Sequence, residues 1–160
     1  MTDDDFFEDV LLSPMQPIGY WSGVAHRSVV GLVSGALARQ GLTQPQWWVL
    51  GQLGRPGGTG LPRERLPGLL AARLYAVGAQ PHALAEAVGG LLERGWVRED
   101  PRGRLRLTEA GEAARERARD LVVGVRARLH EGVDDAAYTA ALRVLRRMAR
   151  NAGAPPDALR

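Results

Sequence analysis

One stretch, Leu91 to Ala118 (LLERGWVREDPRGRLRLTEAGEAARERA), constrains the fold more than any other part of the chain. Leu91, Leu92, Glu93 and Arg94 finish an apolar-periodic helix, Gly95 suits the left-handed conformation that closes one, and Trp96 and Val97 begin an extended run. Asp100-Pro101-Arg102-Gly103 has Pro second and Gly fourth, the order a type I turn favours, and Arg104 to Leu107 alternate as a half-exposed strand does. Thr108 stands where an N-cap hydroxyl accepts from an orphan amide, and Glu109 and Glu112 lie in the first turn of a long helix, beside its positive end. The sequence predicts a two-stranded hairpin held between two helices.

Composition limits what such a chain can do. At 160 residues it fits one domain that buries roughly two-thirds of its unfolded surface, enough to stand without disulfides or structural metal. Cys is absent, so disulfide frameworks and thiolate zinc sites are excluded. No apolar run approaches membrane-spanning length, and the first residues carry Asp3, Asp4 and Asp5 where a secretion signal wants positive charge. The expectation is a cytoplasmic protein that does not enter a membrane. Five of the 18 acidic residues fall in Met1 to Asp9, which has no basic residue, so the rest sets 21 basic residues, all Arg, against 13 acidic ones. A basic body suits a polyanionic partner without requiring one. His26, His82 and His130 have no paired ligand spacing, and GRPGGTG (Gly54 to Gly60) lacks the Lys and Ser or Thr of a nucleotide loop. Neither a nucleophilic triad nor a metal set is legible, so no enzyme, cofactor or metal is expected.

Residues 1–16 read as an acidic and apolar tail. From Ile18, apolar residues Trp21, Ala25, Val29, Leu32, Val33, Ala36 and Leu37 recur at helical spacing to Arg39. Thr43 with Pro45 opens a second helix through Trp47, Trp48, Leu50 and Leu53. Pro62 to Leu66 is read as a turn or short helix, Pro67 to Val77 as a helix with Pro in its first turn, and Gly78-Ala79-Gln80 as a connection. Pro81 to Arg94 forms a helix with Leu84, Val88, Leu91 and Leu92 inward and Gln80, His82, Ala83, Ala85, Glu86, Gly89 and Gly90 outward. Glu109 to Glu131 is a long helix, and Asp134 or Asp135 caps a last one whose stripe includes Tyr138, Leu142, Leu145 and Met148.

The run G-W-V-x-x-D-x-R-x-x-x-L-T-E-A-G, here Gly95, Trp96, Val97, Asp100, Arg102 and Leu107 to Gly111, resembles the multiple-antibiotic-resistance regulator (MarR) family, as does Gly41 to Trp47. The resemblance implies a mostly α fold with a small two-stranded β wing. It implies one domain over residues 17–160, in which residues 43–107 form a winged helix-turn-helix lobe and residues 18–40 and 109–153 are dimerisation helices. The implied function is a homodimeric transcriptional regulator, such as a repressor, that binds a pseudo-palindromic duplex DNA site. Gln80 and His82 at the start of the recognition helix would meet base edges, and Arg98, Arg102 and Arg104 would carry the wing's positive charge to the duplex. Asp100 is expected to brace Arg102 across the turn or, alternatively, only to favour the turn itself.

In the family a small aromatic effector binds beside the first, second and fifth helices, which points to Tyr20, Trp21, His26, Trp47 and Trp48; ordinary core packing is the other reading of these aromatics. The chain departs from the family at Glu86, where an Arg often stands, and between Leu61 and Ala79, which is longer. The alternative reading is therefore a winged-helix interaction or ligand-sensing module with little specific DNA binding.

Overall fold

The computed structural model describes residues 17–55 and 60–159; the expected tail over residues 1–16 and the middle of the glycine-rich loop lie outside that range. Among the described residues, six α-helices and three short strands follow in the order α1 (Ile18–Ala38), α2 (Gln44–Leu53), β1 (Leu61–Pro62), α3 (Leu66–Val77), α4 (His82–Glu93), β2 (Val97–Glu99), β3 (Arg104–Leu107), α5 (Glu109–Leu129) and α6 (Asp135–Asn151). One 3-10 turn, Arg63–Arg65, precedes α3, and a second, Pro156–Leu159, follows α6.

Local chemistry sets most boundaries. The Thr43 hydroxyl accepts from the Gln46 N–H at 3.3 Å while Gln46 Oε1 accepts from the Thr43 N–H at 3.0 Å, a reciprocal capping box that starts α2. Thr108 Oγ1 accepts from the Gly111 N–H to start α5, and Asp134 accepts from the Ala137 N–H to start α6. Gly78, at φ 64°, closes α3, with the Ala79 N–H donating to the Leu74 carbonyl. The segment Leu61 to Ala79 thus resolves into strand, 3-10 turn and helix, and the extra residues leave a short turn from Gly78 to Pro81 between α3 and α4.

The expected two-stranded hairpin, β2 and β3, is present, and β1 adds an edge strand to make a three-stranded antiparallel sheet, β1-β3-β2. Leu61 and Pro62 register with Leu105 and Arg104, while Val97, Arg98 and Glu99 register with Leu107, Arg106 and Leu105. A Pro is tolerated in β1 because the strand lies at the edge, where its missing N–H breaks no ladder.

The core joins α2, α3, α4 and the sheet: Val49, Leu50, Leu66, Leu70, Leu84, Val88, Leu91, Val97 and Leu105 are buried, with Leu37 from the end of α1. Each such Leu contributes roughly 1.5–3 kcal/mol on leaving water. Gly90, expected on the outer face of α4, faces α2 instead, since a Cβ there would lie 2.9 Å from Gln46 Nε2. Helices α1 and α6 are different. Only Ala36 and Leu37 are buried in α1, and no residue of α6 is buried, although Leu142, Leu145 and Met148 line one side of it. Among the described residues no helix is long and apolar enough to cross a membrane.

Candidate nucleic-acid interface

The turn of the wing is closed three ways. The Gly103 N–H donates to the Asp100 carbonyl at 2.8 Å, with Gly103 at φ 69°. One carboxylate oxygen of Asp100 accepts from the Arg102 and Arg104 N–H groups at 2.9 and 3.0 Å, and the other accepts from Arg106 Nε at 2.9 Å. These donors, the Arg104 amide foremost and then the Arg106 side chain, lower the Asp100 carboxyl from its ordinary 3.8 to about 2. Asp100 therefore braces Arg106 and the backbone of the turn. The expected contact with the Arg102 side chain is not made, because the strand register swings Arg106 back toward Asp100 while Arg102 stays at the exposed tip.

The other wing cations divide. Arg98 is exposed on β2, whereas Arg104 is half-buried, its Nε donating to the Gly60 carbonyl at 3.0 Å. Arg63 Nη2 stands 2.7 Å from Glu99 Oε1 and ties the 3-10 turn to β2.

The wing is joined to its flanking helices at one tight point. The Thr108 N–H donates to the Trp96 carbonyl at 3.1 Å and its hydroxyl to the Gly95 carbonyl at 2.7 Å. A Cβ at Gly111 would stand 1.8 Å from that same Trp96 oxygen, so only glycine fits. Arg94 stacks over the Trp96 ring with its guanidinium carbon 5.1 Å from the centroid, and its nitrogens lie 3.4 Å from where a Gly41 Cβ would be. This geometry accounts for Gly95, Trp96, Thr108 and Gly111 in the motif.

Gln80 and His82 are both exposed at the start of α4, and no side chain caps that helix. Amides at such an end favour an anion. Glu86 is exposed one turn further on.

The five aromatic and His positions do not gather within one chain. Trp48 is buried in the core and Trp47 packs against it, while Tyr20, Trp21 and His26 are exposed on α1, with Tyr20 and Trp21 in edge contact at 5.3 Å. Trp21 and Leu37, which meets the core, are more than four turns of α1 apart, about 24 Å.

Two cavities had no sequence signal, since each is made by tertiary packing between separate elements. One of about 320 Å³ lies among Val29 and Val33 of α1, Val122, Val125 and Arg126 of α5, and Tyr138 of α6. His130 flanks it, its ring centroid 4.4 Å from that of Tyr138. The other, about 310 Å³, lies between Arg63, Leu66 and Pro67 and the Leu84, Ala85 and Val88 side of α4.

No protein-family model and no curated protein matches the sequence. Solved structures do match. A MarR-family transcriptional regulator from a Rhodococcus species aligns at 26% identity over 82% of this chain and 93% of its own, with a TM-score of 0.64. CouR of Rhodococcus jostii, bound to p-coumaroyl-CoA, aligns at 25% identity over 86% and 95%, with a TM-score of 0.65. A MarR-family protein of Mycobacterium tuberculosis in complex with DNA aligns at 25% identity over 82% and 97%, with a TM-score of 0.59. In its helix order, its wing and the motif residues at the wing's two junctions, the chain is similar to these MarR-family regulators and shares their winged-helix fold.

Proposed function

We propose that the protein is a DNA-binding transcriptional regulator that acts as a homodimer and responds to a small ligand. The observation that carries this reading is the wing. A basic hairpin locked by Asp100 presents Arg102 at its tip and Arg98 on its flank, directly after a helix at whose N-terminal end Gln80 and His82 are exposed. The DNA complex of the Mycobacterium tuberculosis relative supports it. In this reading α4 lies in the major groove, with Gln80 and His82 at base edges, and Arg102 enters the neighbouring minor groove. Arg98 meets the phosphate backbone, while Asp100 and Arg104 hold the wing in shape. Two lobes, joined through α1, α5 and α6, reach half-sites one helical turn apart on a pseudo-palindrome.

The effector is a small aromatic molecule or its thioester, as the p-coumaroyl-CoA complex of CouR and a salicylic acid complex of the Mycobacterium tuberculosis protein suggest. Tyr20, Trp21 and His26 on α1 face it from one subunit. Trp47 and Trp48 support the floor of the site, the distance along α1 being bridged by the second subunit. The ligand shifts the population of lobe spacings and so changes DNA affinity.

The test is fluorescence anisotropy on duplex from upstream of the protein's own coding region, across a salt series. Tight binding that falls steeply with salt, and an Arg102→Ala loss of about 1–3 kcal/mol, are expected. A folded dimer that binds this duplex and a genomic library no better than random DNA would instead favour the interaction-module reading, in which the exposed Glu86 repels phosphate.

A further inference from the structure

Between the end of α2 and the wing lies a groove of about 300 Å³ whose walls include Arg55, Arg98, Arg106 and Glu112. Arg98 and Arg106 are register partners across β2 and β3, so two guanidinium groups leave the same face of the sheet at adjacent positions. Like charges so placed repel. Asp100 offsets Arg106 at 2.9 Å, whereas Arg98 has no ion pair among the described residues. Arg55 is exposed and makes one long hydrogen bond, 3.4 Å, to Gln52 Oε1. The one carboxylate of the wall, Glu112, already has a partner: Arg115 Nε lies 3.0 and 3.1 Å from its two oxygens. Arg115 in turn packs over Gly54, where a Cβ would stand 2.4 Å from its Cδ. Among the described residues, no carboxylate pairs with Arg98 or Arg55, so these two cations give the groove its excess of positive charge.

We propose that this groove is an oxyanion site that takes a phosphoryl group between Arg55, Arg98 and Arg106. Guanidinium forks match phosphoryl oxygens in pairs, and an anion here removes the repulsion between the two register partners. Two sources supply that chemistry: a small phosphorylated molecule, or a backbone phosphate of bound duplex. The second rests on the DNA-binding function proposed above, and the first does not.

The whole chain is tested in three forms: wild type, Arg55→Gln, and Arg73→Gln as a control on the exposed side of α3. In the first arm, inorganic pyrophosphate is titrated into DNA-free protein at constant ionic strength by calorimetry, with melting temperatures confirming the fold. Saturable one-site binding, weakened at least tenfold by Arg55→Gln and unchanged by Arg73→Gln, assigns the groove to a small phosphorylated molecule. In the second arm, the same proteins bind random duplex over a salt series. A slope of log affinity against log salt reduced by about one in Arg55→Gln alone, with no saturable pyrophosphate binding, assigns the groove to the DNA backbone. Pyrophosphate that fails to saturate, or binds Arg55→Gln as well as wild type, together with an unchanged salt slope, overturns the proposal. If no form binds duplex, the proposed function fails and the calorimetric arm alone decides the site.

Discussion

Gly111 and Asp100 show how single residues hold the wing. Because a Cβ at Gly111 would meet the Trp96 carbonyl at 1.8 Å, Gly111→Ala must push α5 away from the hairpin. The expected loss is about 2–4 kcal/mol in urea denaturation. Gly124, in the same helix with open space around its Cβ position, is the control, and Gly124→Ala should gain about 0.5–1 kcal/mol. Equal effects at the two sites would refute the crowding argument. At Asp100 the folded pKa, about 2, lies below the ordinary 3.8, so its contribution to stability is fully present above about pH 4 and is lost as pH falls toward 2. A carboxyl NMR titration should place the Asp100 midpoint near 2, and the stability gap between wild type and Asp100→Asn should shrink over that window; a midpoint near 4 would remove the bracing role. The motif made Asp100, Thr108 and Gly111 legible in the sequence. Which Arg the carboxylate holds was not legible, since Arg102 and Arg106 both lie in reach along the chain and only the hairpin register separates them.

Among the elements, helices were legible where periodicity met a chemical stop. Thr43, Thr108 and Asp134 stand at the starts that the structure shows, and Gly78 stands at the end of α3. Removing the Thr43 hydroxyl with Thr43→Ala leaves the Gln46 N–H without its acceptor and should cost about 1 kcal/mol, read by thermal or urea melts. A Gln46→Ala change that cost nothing would show that the reciprocal bond from the Thr43 N–H adds little. Strand β1 was not legible, because two residues, one of them Pro, carry no alternation. It exists only because β3 offers a free edge opposite Leu61 and Pro62. The groove beside the wing was hidden for the same reason, its Arg55, Arg98 and Glu112 being brought together by tertiary packing alone.

For the whole molecule, the balance of apolar surface argues for assembly. A stripe in the sequence says that α6 needs apolar cover but not which chain supplies it. Among the described residues that cover is incomplete: Leu142, Leu145 and Met148 remain 48%, 39% and 40% exposed, and Val29 and Trp21 on α1 are exposed as well. Side chains of this kind gain roughly 1.5–3 kcal/mol each on full burial, so several on each copy can offset the entropy of association. Replacing two of them with charge, Leu142→Glu with Leu145→Glu, should therefore turn a dimer into a monomer in sedimentation, while the α2-α3-α4 core keeps its cooperative melt. Under the proposed function the monomer should also lose far more DNA affinity than any single wing substitution, because two linked lobes would bind their half-sites with an effective concentration that a lone lobe lacks. A variant that stayed dimeric would place the subunit contact elsewhere than α6. A variant that became monomeric yet bound DNA as tightly would leave dimerisation intact as a finding and remove the paired half-site from the mechanism.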